Sequence, residues 1–124
     1  NTAWAFATRN HSAPNLFDAV AELSVESLRD FDPQELANTV WAFATLNHSA
    51  PKLFEPVAEI AVERISGFKP QEVANTVWAF AKLIYEAPKL FDLLAELSVE
   101  SLRYFKTREL ANTVWAFATF GYAA

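Results

Sequence analysis

Ala37-Asn38-Thr39-Val40-Trp41-Ala42-Phe43-Ala44 is a phrase that returns at 74–81 and again at 111–118. A copy cut short at its start opens the chain as Asn1-Thr2-Ala3-Trp4-Ala5-Phe6-Ala7. The tryptophans stand at Trp4, Trp41, Trp78 and Trp115, a spacing of 37 residues throughout. A fixed period of that size marks stacked supersecondary units, each burying its apolar face on its neighbours. The expected fold is all-α: an α-solenoid of antiparallel helix-hairpin repeats. It is read as a single segment over residues 1–124, divided into a partial repeat 1–31, repeats 32–68 and 69–105, and a partial repeat 106–124. Because it starts and stops inside a repeat, the segment reads as an excerpt of a longer chain.

The unit at 32–68 shows why each repeat is a hairpin. Asp32-Pro33-Gln34-Glu35 carries the chemistry of a helix start: an acidic cap, proline at the first helical position and glutamate three residues after the cap. The first helix is predicted from about Pro33 to Leu46, ending at Asn47-His48-Ser49; Pro51 opens a second that runs to about Ile65, before Ser66-Gly67. The first helix is apolar on most sides (Leu36, Val40, Trp41, Phe43, Leu46), as expected of a helix sandwiched between neighbours. Trp41 and Phe43 are expected in the core, with base stacking as the alternative role for the indole. The second helix is two-faced. Asp18, Glu22 and Glu26 lie at i, i+4 and i+8, as do Glu55, Glu59 and Glu63, and Asp92, Glu96 and Glu100. This acidic band reads as a solvated face. Pro56 is expected to bend the second helix of its unit.

Composition limits the function. No apolar run approaches the roughly 18 residues of a spanning helix, so no membrane insertion by this segment is expected. With no cysteine, disulfides and thiolate metal sites are excluded. A net charge of −5 opposes nucleic-acid binding. Yet nine of the fifteen acids belong to the second-helix band just named, whereas Arg9, Lys69, Lys82, Lys106 and Arg108 lie near the first helices and their loops. No nucleophile–base pair and no phosphate loop is present, so neither enzyme activity nor a cofactor is expected.

In a repeat protein that reads a polymer, packing residues stay constant and reading residues differ. Asn1, Asn38, Asn75 and Asn112 form an unbroken row. They can bond a ligand or the carbonyls of a neighbouring helix, and the structural role is preferred. Variation gathers at the end of the first helix: Thr8, Thr45, Lys82, Thr119; then Arg9, Leu46, Leu83, Phe120; then Asn10, Asn47, Ile84, Gly121; then His11, His48, Tyr85, Tyr122. A second variable spot is the helix start, with Asp32, Lys69, Lys106 and with Gln34, Gln71, Arg108. The candidate RNA- or partner-binding residues are therefore Asn38, Asn75, Asn112, Thr45, Lys82, Thr119, Asn47, His48, Tyr85 and Arg108. Ordinary drift of exposed loops is the alternative. Asn10-His11-Ser12 and Asn47-His48-Ser49 formally match the glycosylation sequon.

Glu35-Leu36-Ala37-Asn38-Thr39-Val40-Trp41-Ala42-Phe43-Ala44, followed by Ala50-Pro51-Lys52-Leu53-Phe54, resembles the heptatricopeptide and octotricopeptide repeats of organellar proteins, often found beside a RAP domain. The resemblance spans the whole chain. It implies a module that binds single-stranded RNA in a chloroplast or mitochondrion and affects transcript stability, processing or translation. A HEAT-like scaffold, serving as a subunit or assembly factor of a large complex and binding partner proteins, is the second reading. In either case neighbouring repeats of the same longer chain are expected to pack on this segment.

Overall fold

The computed structural model describes residues 14–97 and 99–122. They form seven α-helices: α1 Pro14–Ser27, α2 Pro33–Thr45, α3 Pro51–Arg64, α4 Pro70–Lys82, α5 Pro88–Ala95, α6 Val99–Leu102 and α7 Thr107–Thr119. Short 3-10 turns, Leu28–Asp30 and Ile65–Gly67, follow α1 and α3. Among the described residues there is no strand.

The helix starts follow the sequence chemistry. At α2 the Asp32 carboxylate accepts the Glu35 N–H at 2.7 Å and the Glu35 carboxylate accepts the Asp32 N–H at 2.9 Å. With Pro33 lacking an N–H, two of the three unpaired N–H groups of this helix end are satisfied in this way. At α4 and α7 a lysine stands at the cap and only the glutamate half survives: Glu72 accepts from Lys69 N–H at 2.9 Å, and Glu109 from Lys106 N–H at 2.8 Å.

The helix ends share one backbone device. Asn47, Ile84 and Gly121 hold φ at 56°, 58° and 78°. Their N–H groups donate to Ala44, Ala81 and Ala118 carbonyls at 2.9, 3.1 and 3.0 Å. The next residues, His48, Tyr85 and Tyr122, donate to Phe43, Phe80 and Phe117 carbonyls at 2.8, 2.8 and 3.1 Å. This is the Schellman pairing, which closes a helix through a left-handed residue. The position that varies as Asn47, Ile84, Gly121 is thus set by backbone geometry.

α2 packs beside α4, and α4 beside α7, as one layer; α1, α3 and α5 pack in sequence as the other. Phe43, Phe54, Phe80 and Phe91 fill the space between, fully buried with Leu28, Leu36, Leu53 and Leu90. Each second-layer phenylalanine meets the next first-layer one: Phe54 lies 5.0 Å from Phe80, and Phe91 4.9 Å from Phe117. Burying one such ring contributes roughly 2 to 3 kcal/mol. Arg64 fastens the second layer. It donates to the Phe31 and Arg29 carbonyls at 3.0 and 2.7 Å, while Arg29 pairs with Glu63 at 2.8 Å.

Two expectations are corrected. Trp41 and Trp78 are only partly buried against the core, although Phe43 and Phe80, two residues further on, are 0% and 1% exposed. Two residues turn a helix by about 200°, so the tryptophan and phenylalanine point to opposite sides. The acidic row Asp92, Glu96, Glu100 does not share one helix, because α5 stops at Ala95 and α6 starts at Val99. Glu96 and Leu97 N–H groups turn instead to the Leu93 and Leu94 carbonyls, at 3.3 and 3.1 Å. α3, with second-layer neighbours on both flanks, stays helical through Pro56 to Arg64. α1, which like α5 has only α3 beside it among the described residues, is helical to Ser27, so flanking alone does not set where α5 stops.

Candidate binding face on the first-layer helices

Between Leu36 and Ala44 every residue of α2 is buried except Asn38 and Trp41. Between Val73 and Ala81 of α4 the exceptions are Asn75 and Trp78. Residues at i, i+4, i+7 and i+11 share one side of a helix. The open side of α2 therefore reads Gln34, Asn38, Trp41, Thr45, and that of α4 reads Gln71, Asn75, Trp78, Lys82. On α7 the same positions hold Arg108, Asn112, Trp115 and Thr119, with Trp115 45% exposed. α2 and α4 are covered by each other, by α7 and by the second layer, so this stripe is the side they leave open.

The asparagines do not lock the stack. None of the Asn38, Asn75 and Asn112 amides hydrogen-bonds to the described residues, and all three are half-buried. The neighbouring threonines behave differently. Thr39 and Thr113 donate to the Glu35 and Glu109 carbonyls at 2.7 and 2.8 Å, whereas the buried Thr76 hydroxyl has no partner. Thr119 donates to the Trp115 carbonyl at 2.8 Å.

The loop candidates stand apart from the stripe. His48 Nε2 meets Asp18 Oδ1 at 2.8 Å, and Tyr122 donates to Asp92 Oδ1 at 2.9 Å. Tyr85 pairs with the Ser49 hydroxyl and lies 4.7 Å from the Phe54 ring. The His48 ring sits edge-on to Phe43 at 5.7 Å. His48 and Tyr85 thus act as struts from each loop to the preceding hairpin, and exposed Asn47 supplies the left-handed turn. The equivalent positions Asn10 and His11 lie outside the described residues, as does the first sequon.

The acids outnumber the cations on the second layer, where Lys52, Lys89 and Arg103 are also exposed, while the first layer is balanced. Glu35, Glu72 and Glu109 are held at helix caps. Lys69, Lys82, Lys106 and Arg108 are exposed and pair with no acid among the described residues. On the second layer Glu22, Glu26, Glu55, Glu59, Glu96 and Glu100 face solvent. There the Arg29 hydrogen bond holds the Glu63 carboxyl below its ordinary range. Burial, aided by the bond to Asp92, raises the Tyr122 phenol.

No group of metal-ligating residues occurs among the described residues, and no helix there is long and apolar enough to cross a membrane. Two clefts, about 600 Å³ beside Val62 and Leu90 and about 480 Å³ beside Phe91 and Tyr122, lie away from the stripe.

The sequence reading prefers the core for the tryptophan and keeps stacking as its alternative; Trp41 and Trp78 are half-buried against the core, and Trp115 is 45% exposed. The signal for that exposure was the constant Asn-x-x-Trp spacing, which puts an amide and an indole on one side of a helix. No curated protein matches the chain. Residues 2–124 match the family described as RESC6, RNA-editing substrate-binding complex 6 protein, not the heptatricopeptide or octotricopeptide repeats specifically. A match over nearly the whole length shows membership: the chain belongs to the RNA-editing substrate-binding complex 6 protein family.

Proposed function

We propose that the chain is an α-solenoid of 37-residue hairpins that binds single-stranded RNA as a subunit of an organellar RNA-editing complex. The observation that carries this reading is the open stripe of asparagine amides without a partner among the described residues, repeated from helix to helix in a family named after an RNA-editing substrate-binding complex. A row of like groups suits a polymer. The cations of the first layer support it, because phosphate contacts dominate the affinity for nucleic acid. In this arrangement Asn38, Asn75 and Asn112 bond the strand, with Thr45 and Thr119 beside them. Lys82 and Arg108 meet phosphates, while Asn47, His48 and Tyr85 shape the loop edge. The module binds; it is not an enzyme. The heptatricopeptide-like phrase supports a mitochondrion or chloroplast as its location.

Filter binding with a random pool of single-stranded RNA tests the idea. Affinity should fall with salt, with a log–log slope of about −0.7 for each phosphate neutralised. Changing Lys69, Lys82, Lys106 and Arg108 to glutamine should flatten that slope. No retained RNA at low salt would sink the proposal.

A HEAT-like protein scaffold is the second reading. Leu110 and Val114 are 37% and 67% exposed where the matching Leu36, Val40, Val73 and Val77 are buried beneath a neighbouring helix, a face that a following repeat or a partner protein would cover alike. A stoichiometric partner that is lost on Val114→Glu would support the scaffold.

A further inference from the structure

We propose that Trp41, Trp78 and Trp115 are stacking platforms for unpaired bases, with the asparagine one turn before each indole addressing the base edge. The proposal rests on the RNA reading above and adds what the strand presents to the protein: its bases, not its backbone alone. Four observations converge on it. Trp41 and Trp78 give the core only part of their surface, the fully buried place on the opposite side of each helix being held by Phe43 and Phe80. The indole stays partly open in α2 and α4 and is 45% exposed in α7. Asparagine and tryptophan at i and i+3 stand about 5–6 Å apart at Cβ. A base lying flat on the indole therefore brings its hydrogen-bonding edge to an amide that no described residue occupies. Finally, α4 carries cations without an acid partner among the described residues at both ends, Lys69 before it and Lys82 at its close, and α7 carries Lys106 and Arg108 at its start, whereas α2 has none. Phosphates on either side of a stacked base meet positive charge there.

The spacing sets the form of the ligand. Packed helices lie roughly 8–10 Å apart, well beyond the ~3.4 Å rise of stacked bases. Successive platforms cannot share one continuous base stack, so each takes a base splayed from the next. Duplex RNA, whose bases are paired and stacked on each other, does not fit. Because the Asn–Trp pair is identical on α2, α4 and α7, the contact is also sequence-tolerant, as stacking on any base face is.

Fluorescence anisotropy with the unaltered chain and three labelled probes of equal length tests this: single-stranded RNA, the same strand with abasic sites, and duplex RNA. The single strand should bind most tightly, with the abasic strand and the duplex weaker by tenfold or more. Trp78→Leu, which keeps an apolar side chain but loses the ring face, should weaken binding by roughly 5- to 150-fold with the melting temperature little changed. If Trp78→Leu melts early, Trp115→Leu at the most open of the three positions is read in its place, with the same expectation. Equal affinity for abasic and intact strands overturns the stacking proposal and leaves RNA binding standing. Absence of binding to every probe overturns both.

Discussion

Tyr122 donates its hydroxyl to Asp92 at 2.9 Å, tying the loop after α7 to α5. Burial, and secondarily this bond, raise the phenol above its ordinary value of 10.0. The folded chain therefore holds that proton more tightly than the unfolded one. The resulting stability is fully present below pH 10 and is lost as pH rises through the folded value. Ultraviolet titration should show one of the three tyrosines ionising late. Asp92→Asn should move it only part-way back, because burial remains.

Ile84 is a branched residue at φ 58° and is 66% exposed. Left-handed backbone costs such a residue about 1–2 kcal/mol, and asparagine tolerates it better. Ile84→Asn, matching Asn47, should raise stability by about 1 kcal/mol in thermal melts. A loss would show that the isoleucine side chain packs more tightly than its exposure suggests.

Lys69 occupies a cap whose counterpart, Asp32, completes a capping box. Lys69→Asp should add about 1 kcal/mol to stability while weakening RNA binding and flattening its salt dependence. Opposite movements in one variant would separate folding from binding. If both rise, Lys69 has no part in phosphate contact.

Arg64 and the neighbouring Glu63–Arg29 pair should respond differently to deletion. Arg64 is half-buried and donates to two carbonyls, so Arg64→Ala should cost about 1.5–3 kcal/mol. Glu63 and Arg29 are exposed and screened by water, so Glu63→Gln should change stability little. Arg29 lowers the Glu63 pKa below 4.5. The pair's contribution is thus present above pH 4.5 and is lost as pH falls through the folded value. Denaturant melts at neutral and acid pH check both statements.

The buried Thr76 hydroxyl lacks a partner, whereas Thr39 donates to Glu35. Thr76→Val should therefore be neutral or stabilising by about 1 kcal/mol, and Thr39→Val should cost about the same. Equal losses in chemical denaturation would mean that Thr76 finds a bond in solution.

The helix starts were legible because Pro33, Pro70 and the glutamates at Glu35, Glu72 and Glu109 act through local chemistry alone. Whether Trp41 or Phe43 faces the core was not, since both are apolar and only the positions of α4 and α3 decide between them. Nor was the break after Ala95: Ala21-Glu22-Leu23-Ser24-Val25-Glu26 remains helical in α1, while the identical run starting at Ala95 does not. Asn47 and Ile84 varied as reading residues would, yet their variation lies within what a left-handed turn tolerates or strains to hold. The asparagine row was legible as a row. Its freedom from neighbouring carbonyls required the packed helices.

The repetition of Asn38–Trp41 as Asn75–Trp78 and Asn112–Trp115 has a dynamic consequence. On the proposed RNA reading, a strand held on equivalent rungs has no unique starting point. It can advance by one rung and recover the same contacts, crossing only the barrier of lifting its bases. Lys82, set between Thr45 and Thr119, and Arg108, after Gln34 and Gln71, are what distinguish one rung from the next. Such a surface would behave as a track along which an RNA is threaded, with Lys82 and Arg108 as its brakes.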